Sequence, residues 1–213
     1  MTVRSRPVDP FADPFVSVPP MAPRRRHREL GRVPGEIGIW VFIFGDMLIF
    51  ALFFGVFVYE RSRSAALFEQ AREHMNLTFG AGNTLLLLTG SMFVVLGLNA
   101  LRHGASERGA RMILMTLLCG AGFVVNKVLE YSNEIQAGHT PSTNSFYMYY
   151  FVFTGIHLLH LLIGIVALAI MYLIARKPAL VNRDVRNLEA GACYWHLIDL
   201  LWIVLFALLY LMR

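Results

Sequence analysis

A chain of 213 residues that is 56% hydrophobic and only 15% charged, with a mean hydropathy of +0.55, is too apolar for a soluble domain and fits a polytopic membrane protein. Its net charge of +5 would suit nucleic acid, but the basic residues flank apolar spans, where they act as topology signals, so no nucleic-acid partner is expected. Cys119 and Cys193 both lie in apolar runs without a CxxC or Cys/His cluster, which argues against a disulfide framework or thiolate metal site.

Residues 1–34 hold seven of the nine prolines and read as a disordered basic cytoplasmic tail. The tail ends in Arg24-Arg25-Arg26-His27-Arg28 and Arg32, a positive-inside anchor that also suits anionic headgroups. No hydrophobic stretch follows the initiator Met, so no cleavable signal peptide is expected. Residues 35–213 read as an all-α, five-helix membrane domain with spans at about 37–59, 77–101, 112–131, 146–175 and 190–212, near or above the ~20 residues that cross a bilayer.

The first span is broken only by Asp46 and offers Ala51 and Gly55 as a small pair for close helix contact. The segment 60–76 mixes charges with Ala65, Leu67, Phe68 and Ala71, the composition of a short interfacial helix. The second span is uncharged. The third holds Lys127, which can snorkel to the interface or pair with Glu130 one turn on. The fourth lacks Asp, Glu, Lys and Arg but contains His157 and His160. In the fifth, Asp199 is the only charge between Ala190 and Met212; His196 shares its face with Trp195 and Trp202 close by, an aromatic-polar face whose imidazole and indole N–H groups need structural partners inside the bundle. With the N-terminus inside, fourteen Lys/Arg fall on the cytoplasmic side against four outside, which sets an N-in, C-out bundle.

Seven polar residues therefore sit at membrane depth: Asp46, Lys127, Glu130, His157, His160, His196 and Asp199. At ~1.5 Å per residue, Asp46 and Asp199 lie ~12–14 Å in from the cytoplasmic edge, and Lys127 and Glu130 lie within ~10 Å of the outer one. His157 and His160 share a helix face that a metal could exploit, yet no third or fourth ligand stands at matching depth. Two core histidines that bridge helices by hydrogen bonds are the preferred reading. Asp46 has no nearby cation in sequence; it reads as a proton-holding carboxyl, a structural one, or one that reaches towards lipid headgroups.

Several of these residues lie in ordered motifs. Thr154-Gly155-Ile156-His157-Leu158-Leu159-His160 with Gly164 resembles the TGxHxxHxxxG run of cytochrome c oxidase subunit III. Glu189-Ala190-Gly191-Ala192-Cys193-Tyr194-Trp195-His196-Leu197-Ile198-Asp199-Leu200-Leu201-Trp202 resembles that family's EAxxxYWHFVDxxW run. Glu130-Tyr131 with Glu134 is similar to its EYxEA segment, and Asp46 ahead of Phe50, Phe53 and Phe54 falls where the family has a buried glutamate.

The resemblance covers Gly35 to Arg213 and implies the bacterial five-span form of the fold. It implies an accessory subunit III of a respiratory haem-copper terminal oxidase in a bacterial plasma membrane, without haem or copper of its own; those belong to the partner subunit. Its partners would be catalytic subunit I, with subunit II, and bound phospholipid. Its role would be to support the catalytic subunit's stability and proton uptake.

Asp46 in place of Glu shortens the carboxyl's reach by one methylene. Lys127 ahead of Glu130-Tyr131, and the short chain, resemble the NorE-type branch associated with nitric oxide reductase, an alternative partner complex. A small proton-coupled transporter using Asp46 and Asp199 is a third reading, of a different class.

Overall fold

A computed structural model describes residues 37–73 and 75–212, and every regular element among them is helical. The tail expected at 1–34 lies outside the described residues. The order is α1 (Ile37–Arg63), α2 (Ala65–Glu73), α3 (Leu77–Arg102), α4 (Ser106–Gln136), α5 (Ser145–Ala175) and α6 (Asn182–Phe206), which runs on into a π-helical turn at Ala207–Leu211. Five stretches are long and apolar enough to cross a membrane: Trp40–Arg63, Leu77–Arg102, Ser106–Gln136, Ser145–Ala175 and Asn182–Leu211. The protein is a five-span helical bundle.

Local signals begin and end these helices. The Asn76 side chain accepts from the Thr78 N–H at 3.0 Å, and Asn144 accepts from the Tyr147 N–H at 3.0 Å, so α3 and α5 start on capped turns. Gly104 takes a φ of +78°, which lets α3 turn into α4 over three residues. α3 and α4 form the closest helix pair of the bundle.

α6 is the core of the bundle and packs against α1, α3 and α5. In its most apolar stretch 56% of the residues are buried, against 17% for α1. The position of α6 is set by Trp195, whose indole is 1% exposed. A Cβ built on Gly90 of α3, Gly120 of α4 or Gly164 of α5 would fall 3.4, 3.1 or 3.4 Å from that indole, so three helices present bare backbone to it.

α1 is held through aromatic side chains: Phe53 stacks on Phe153 at 5.8 Å, and Phe57 meets both Phe68 of α2 and Phe153. The small pair Ala51 and Gly55 makes no close helix contact among the described residues of this chain. Both are outside the buried core, and a Cβ on Gly55 would meet nothing within 4 Å among the described residues. The phenylalanines on the opposite face of α1 do the packing instead.

Candidate functional site

The charged residues of α4 lie in the interior. Lys127 is 0% and Glu130 1% exposed, so the snorkelling reading of Lys127 is corrected. The reason is that all three ammonium donors find acceptors inside the bundle. Lys127 Nζ donates to Glu130 Oε2 at 2.9 Å, to the Tyr210 hydroxyl at 3.1 Å and to the Tyr150 hydroxyl at 3.2 Å. Both tyrosines donate in turn to Glu130 Oε1, Tyr150 at 2.7 Å and Tyr210 over a shorter contact. Four rings (Tyr131, Tyr150, Trp202 and Tyr210) stand 4.7–5.7 Å from the ammonium, within cation–π range. The cage is closed by Tyr131 and Thr154, whose hydroxyls meet at 2.5 Å, and by Thr154 donating to the Tyr150 carbonyl at 2.6 Å.

The two aspartates occupy separate pairs. Asp46 on α1 meets His160 Nε2 on α5 at 3.1 Å, and Phe50 lies edge-on to that imidazole. On the α3–α6 seam, Ser91 Oγ donates to Asp199 Oδ2 at 2.8 Å and contacts His196 Nδ1 at 3.0 Å. Trp202 Nε1 donates to Thr84 Oγ1 at 3.0 Å and so also ties α6 to α3.

Two expectations need correction. Of the two histidines expected to bridge helices, only His160 does so through its side chain. His157 is fully buried between Phe123 and Trp202, and neither ring nitrogen has a hydrogen-bond partner among the described residues. Three residues of helix turn the two rings about 60° apart, enough to send one into the apolar core and the other to α1. Trp195, expected among the polar residues of the interior, acts as an apolar one: its Nε1 is buried without a partner among the described residues and its ring packs as a wedge.

The interior also contains residues that charge patterning could not reveal: Tyr150, Tyr210, Thr154, Ser91, and the pair Asn83 and Asn126 joined at 2.8 Å. Hydroxyls and amides are common in membrane helices, so nothing in their spacing marks them. Among the described residues no group of three or more His, Cys, Asp or Glu side chains is placed to hold a metal ion. Asp46 and His160 pair across α1 and α5, Ser91 of α3 joins His196 and Asp199 of α6, and the Lys127–Glu130 pair of α4 is tied to α5 and α6 through Tyr150 and Tyr210. Separately, a cleft of about 490 Å³ opens between the start of α4 and the end of α5, lined by Glu107, Arg111, Leu114, Tyr172 and Arg176.

The family model for cytochrome c oxidase subunit III matches residues 26–213. The chain is 29% identical over 197 residues to quinol oxidase subunit 3 of Bacillus subtilis, covering 90% of this chain and 93% of that one. It is 25% identical over 180 residues to cytochrome c oxidase subunit 3 of Corynebacterium diphtheriae, covering 84% and 88%. Against cytochrome bo(3) ubiquinol oxidase subunit 3 of Pseudomonas putida it is 27% identical over 176 residues, covering 83% and 84%.

Proposed function

The chain belongs to the cytochrome c oxidase subunit III family, and from that premise we propose that it serves a haem-copper terminal oxidase as a passive bundle flanking the catalytic subunit. The observation that carries this reading is the closed Lys127–Glu130–Tyr150–Tyr210 cage, in which the most completely buried charges among the described residues are engaged with each other. A buried network of this kind rigidifies a core and specifies one packing. A rigid neighbour supports a catalytic subunit whose own helices must hold haem and copper.

In this reading the partner is catalytic subunit I, with subunit II, in a bacterial plasma membrane, and the N-terminus faces the cytoplasm. Phospholipid binding is supported by the cleft between α4 and α5, where Arg111 and Arg176 stand beside apolar helix surface. Basic pockets between membrane helices are the usual seat of anionic headgroups. The Asp46–His160 pair serves proton uptake, since an acid and an imidazole in hydrogen-bond contact can exchange one proton.

The test is affinity purification of this chain from native membranes in mild detergent. A haem spectrum and oxygen uptake that co-elute with it, with the catalytic subunit identified by mass spectrometry, are the expected result. Recovery of the chain without a haem-bearing subunit would refute the reading. Co-elution of nitric oxide consumption without oxygen uptake would move it to the reductase branch.

A further inference from the structure

The core helix α6 leaves one strip uncovered. Trp195 and Asp199 turn towards α3, and Tyr194 turns towards Phe42 of α1 at 5.9 Å. The residues between these two faces, His196, Leu200, Ile203, Val204 and Ala207, therefore look into the gap between α1 and α3. The spacing 196, 200, 203, 207 keeps them on one side of the helix. Leu200, Ile203 and Val204 are 46%, 39% and 36% exposed, and His196 is part-buried among them.

His196 is the polar feature of this strip, and it sits at mid-depth. Its ring meets Ser91, which lies ~21 Å from Leu77 and ~16 Å from Arg102, the two ends of α3, at ~1.5 Å per residue. Its Nδ1 is tied to Ser91. When Asp199 is ionised it can only accept, so the Ser91 hydroxyl donates to it and Nδ1–H must donate to Ser91 Oγ. In the neutral imidazole Nε2 then keeps a bare lone pair. When Asp199 is protonated the relay reverses and Nε2 carries the hydrogen. In both states Nε2 has no hydrogen-bond partner among the described residues.

A lipid cannot satisfy this atom. Its acyl chains have nothing to offer, and its headgroup stops at the edge of a core ~30 Å thick. A polar atom held against hydrocarbon is costly. We propose that the His196–Leu200–Ile203–Ala207 strip is where a transmembrane helix of the catalytic partner docks, presenting a hydroxyl or carboxamide to His196 Nε2 at mid-membrane. Such groups both donate and accept, so they answer either state of the relay. Ala207 and the apolar side chains give the rest of the seam close packing. This rests on the accessory-subunit reading and adds to it the face that meets the partner.

The experiment places photoreactive p-benzoylphenylalanine at position 200, 203 or 207, one site at a time, in the full chain in native membranes. Controls carry it at 118 or 125, on the exposed face of α4. Adducts to the catalytic subunit from all three α6 positions, at least fivefold above both controls, are expected. His196→Leu should lower the amount of chain retained on the tagged catalytic subunit severalfold, while His196→Gln, which keeps a polar group, retains most of it. Adducts only to lipid or to a second copy from the α6 sites would overturn the proposal. So would catalytic-subunit adducts from 118 and 125 in their place. Absence of the wild-type chain from the tagged catalytic subunit would instead overturn the accessory-subunit reading, and the docking face with it.

Discussion

Lys127→Met removes the ammonium from the cage and leaves Glu130 behind. The substitution keeps the stem's apolar volume but deletes three hydrogen bonds, at 2.9, 3.1 and 3.2 Å, and the charge facing four aromatic rings. Glu130 is 1% exposed, so its carboxylate keeps only the Tyr150 and Tyr210 hydroxyls and has no access to water. Breaking a buried pair in this way costs about 3–5 kcal/mol. For a chain of this length each kcal/mol moves the thermal midpoint by about 2–4 °C, so the expected drop is roughly 6–20 °C. Adding Glu130→Gln removes the stranded charge while the tyrosines can still donate to the amide oxygen. The double variant should therefore recover most of the loss, because replacing both members of a buried pair is often close to neutral. Thermal unfolding of the detergent-solubilised protein measures both. A loss under about 1 kcal/mol for Lys127→Met, or a double variant no more stable than the single one, would refute the buried-pair account.

Tyr210→Phe deletes one hydroxyl that bonds Glu130 and Lys127, and should cost about 1–3 kcal/mol, read as a fall in thermal midpoint smaller than that of Lys127→Met. Gly120→Val drives a side chain into the Trp195 indole, which stands only 3.1 Å from where the new Cβ would lie, and should cost about 1–3 kcal/mol by overpacking; helix content by circular dichroism should stay near wild type while the midpoint falls. His157→Leu should be neutral or stabilising in the same assay, since it replaces an imidazole whose two nitrogens are unpaired among the described residues with an apolar side chain of similar size.

The five-span bundle was legible in the sequence because each span carries its own evidence, a run of apolar residues long enough to need no tertiary context. The intrahelical part of the site was legible for the same reason: Lys127 and Glu130 pair at three residues' spacing. What could not be read was anything decided by which helix stands next to which. Tyr150 and Tyr210 are twenty-three and eighty-three residues from Lys127 and look like ordinary aromatic residues in apolar runs. Ser91 lies one hundred and eight residues from Asp199. His157 and His160 read alike in sequence, and only the rotation of α5 sends one to Asp46 and the other into the apolar core. Ala51 and Gly55 make the same point: small residues permit a close approach, but within this chain the phenylalanines on the other face of α1 decide where it occurs.

The dependence of Glu130 on Tyr210 has a consequence in time. The two residues are eighty positions apart, so at about 5–20 residues per second the ribosome needs roughly 4–16 s after making Glu130 before Tyr210 exists. Throughout that interval the acid and the amine of α4 have each other, and in time Tyr150, but not the Tyr210 hydroxyl that completes the cage. The third membrane span to be made must therefore wait, at the insertion machinery or at the water interface, for the last helix to complete its surroundings.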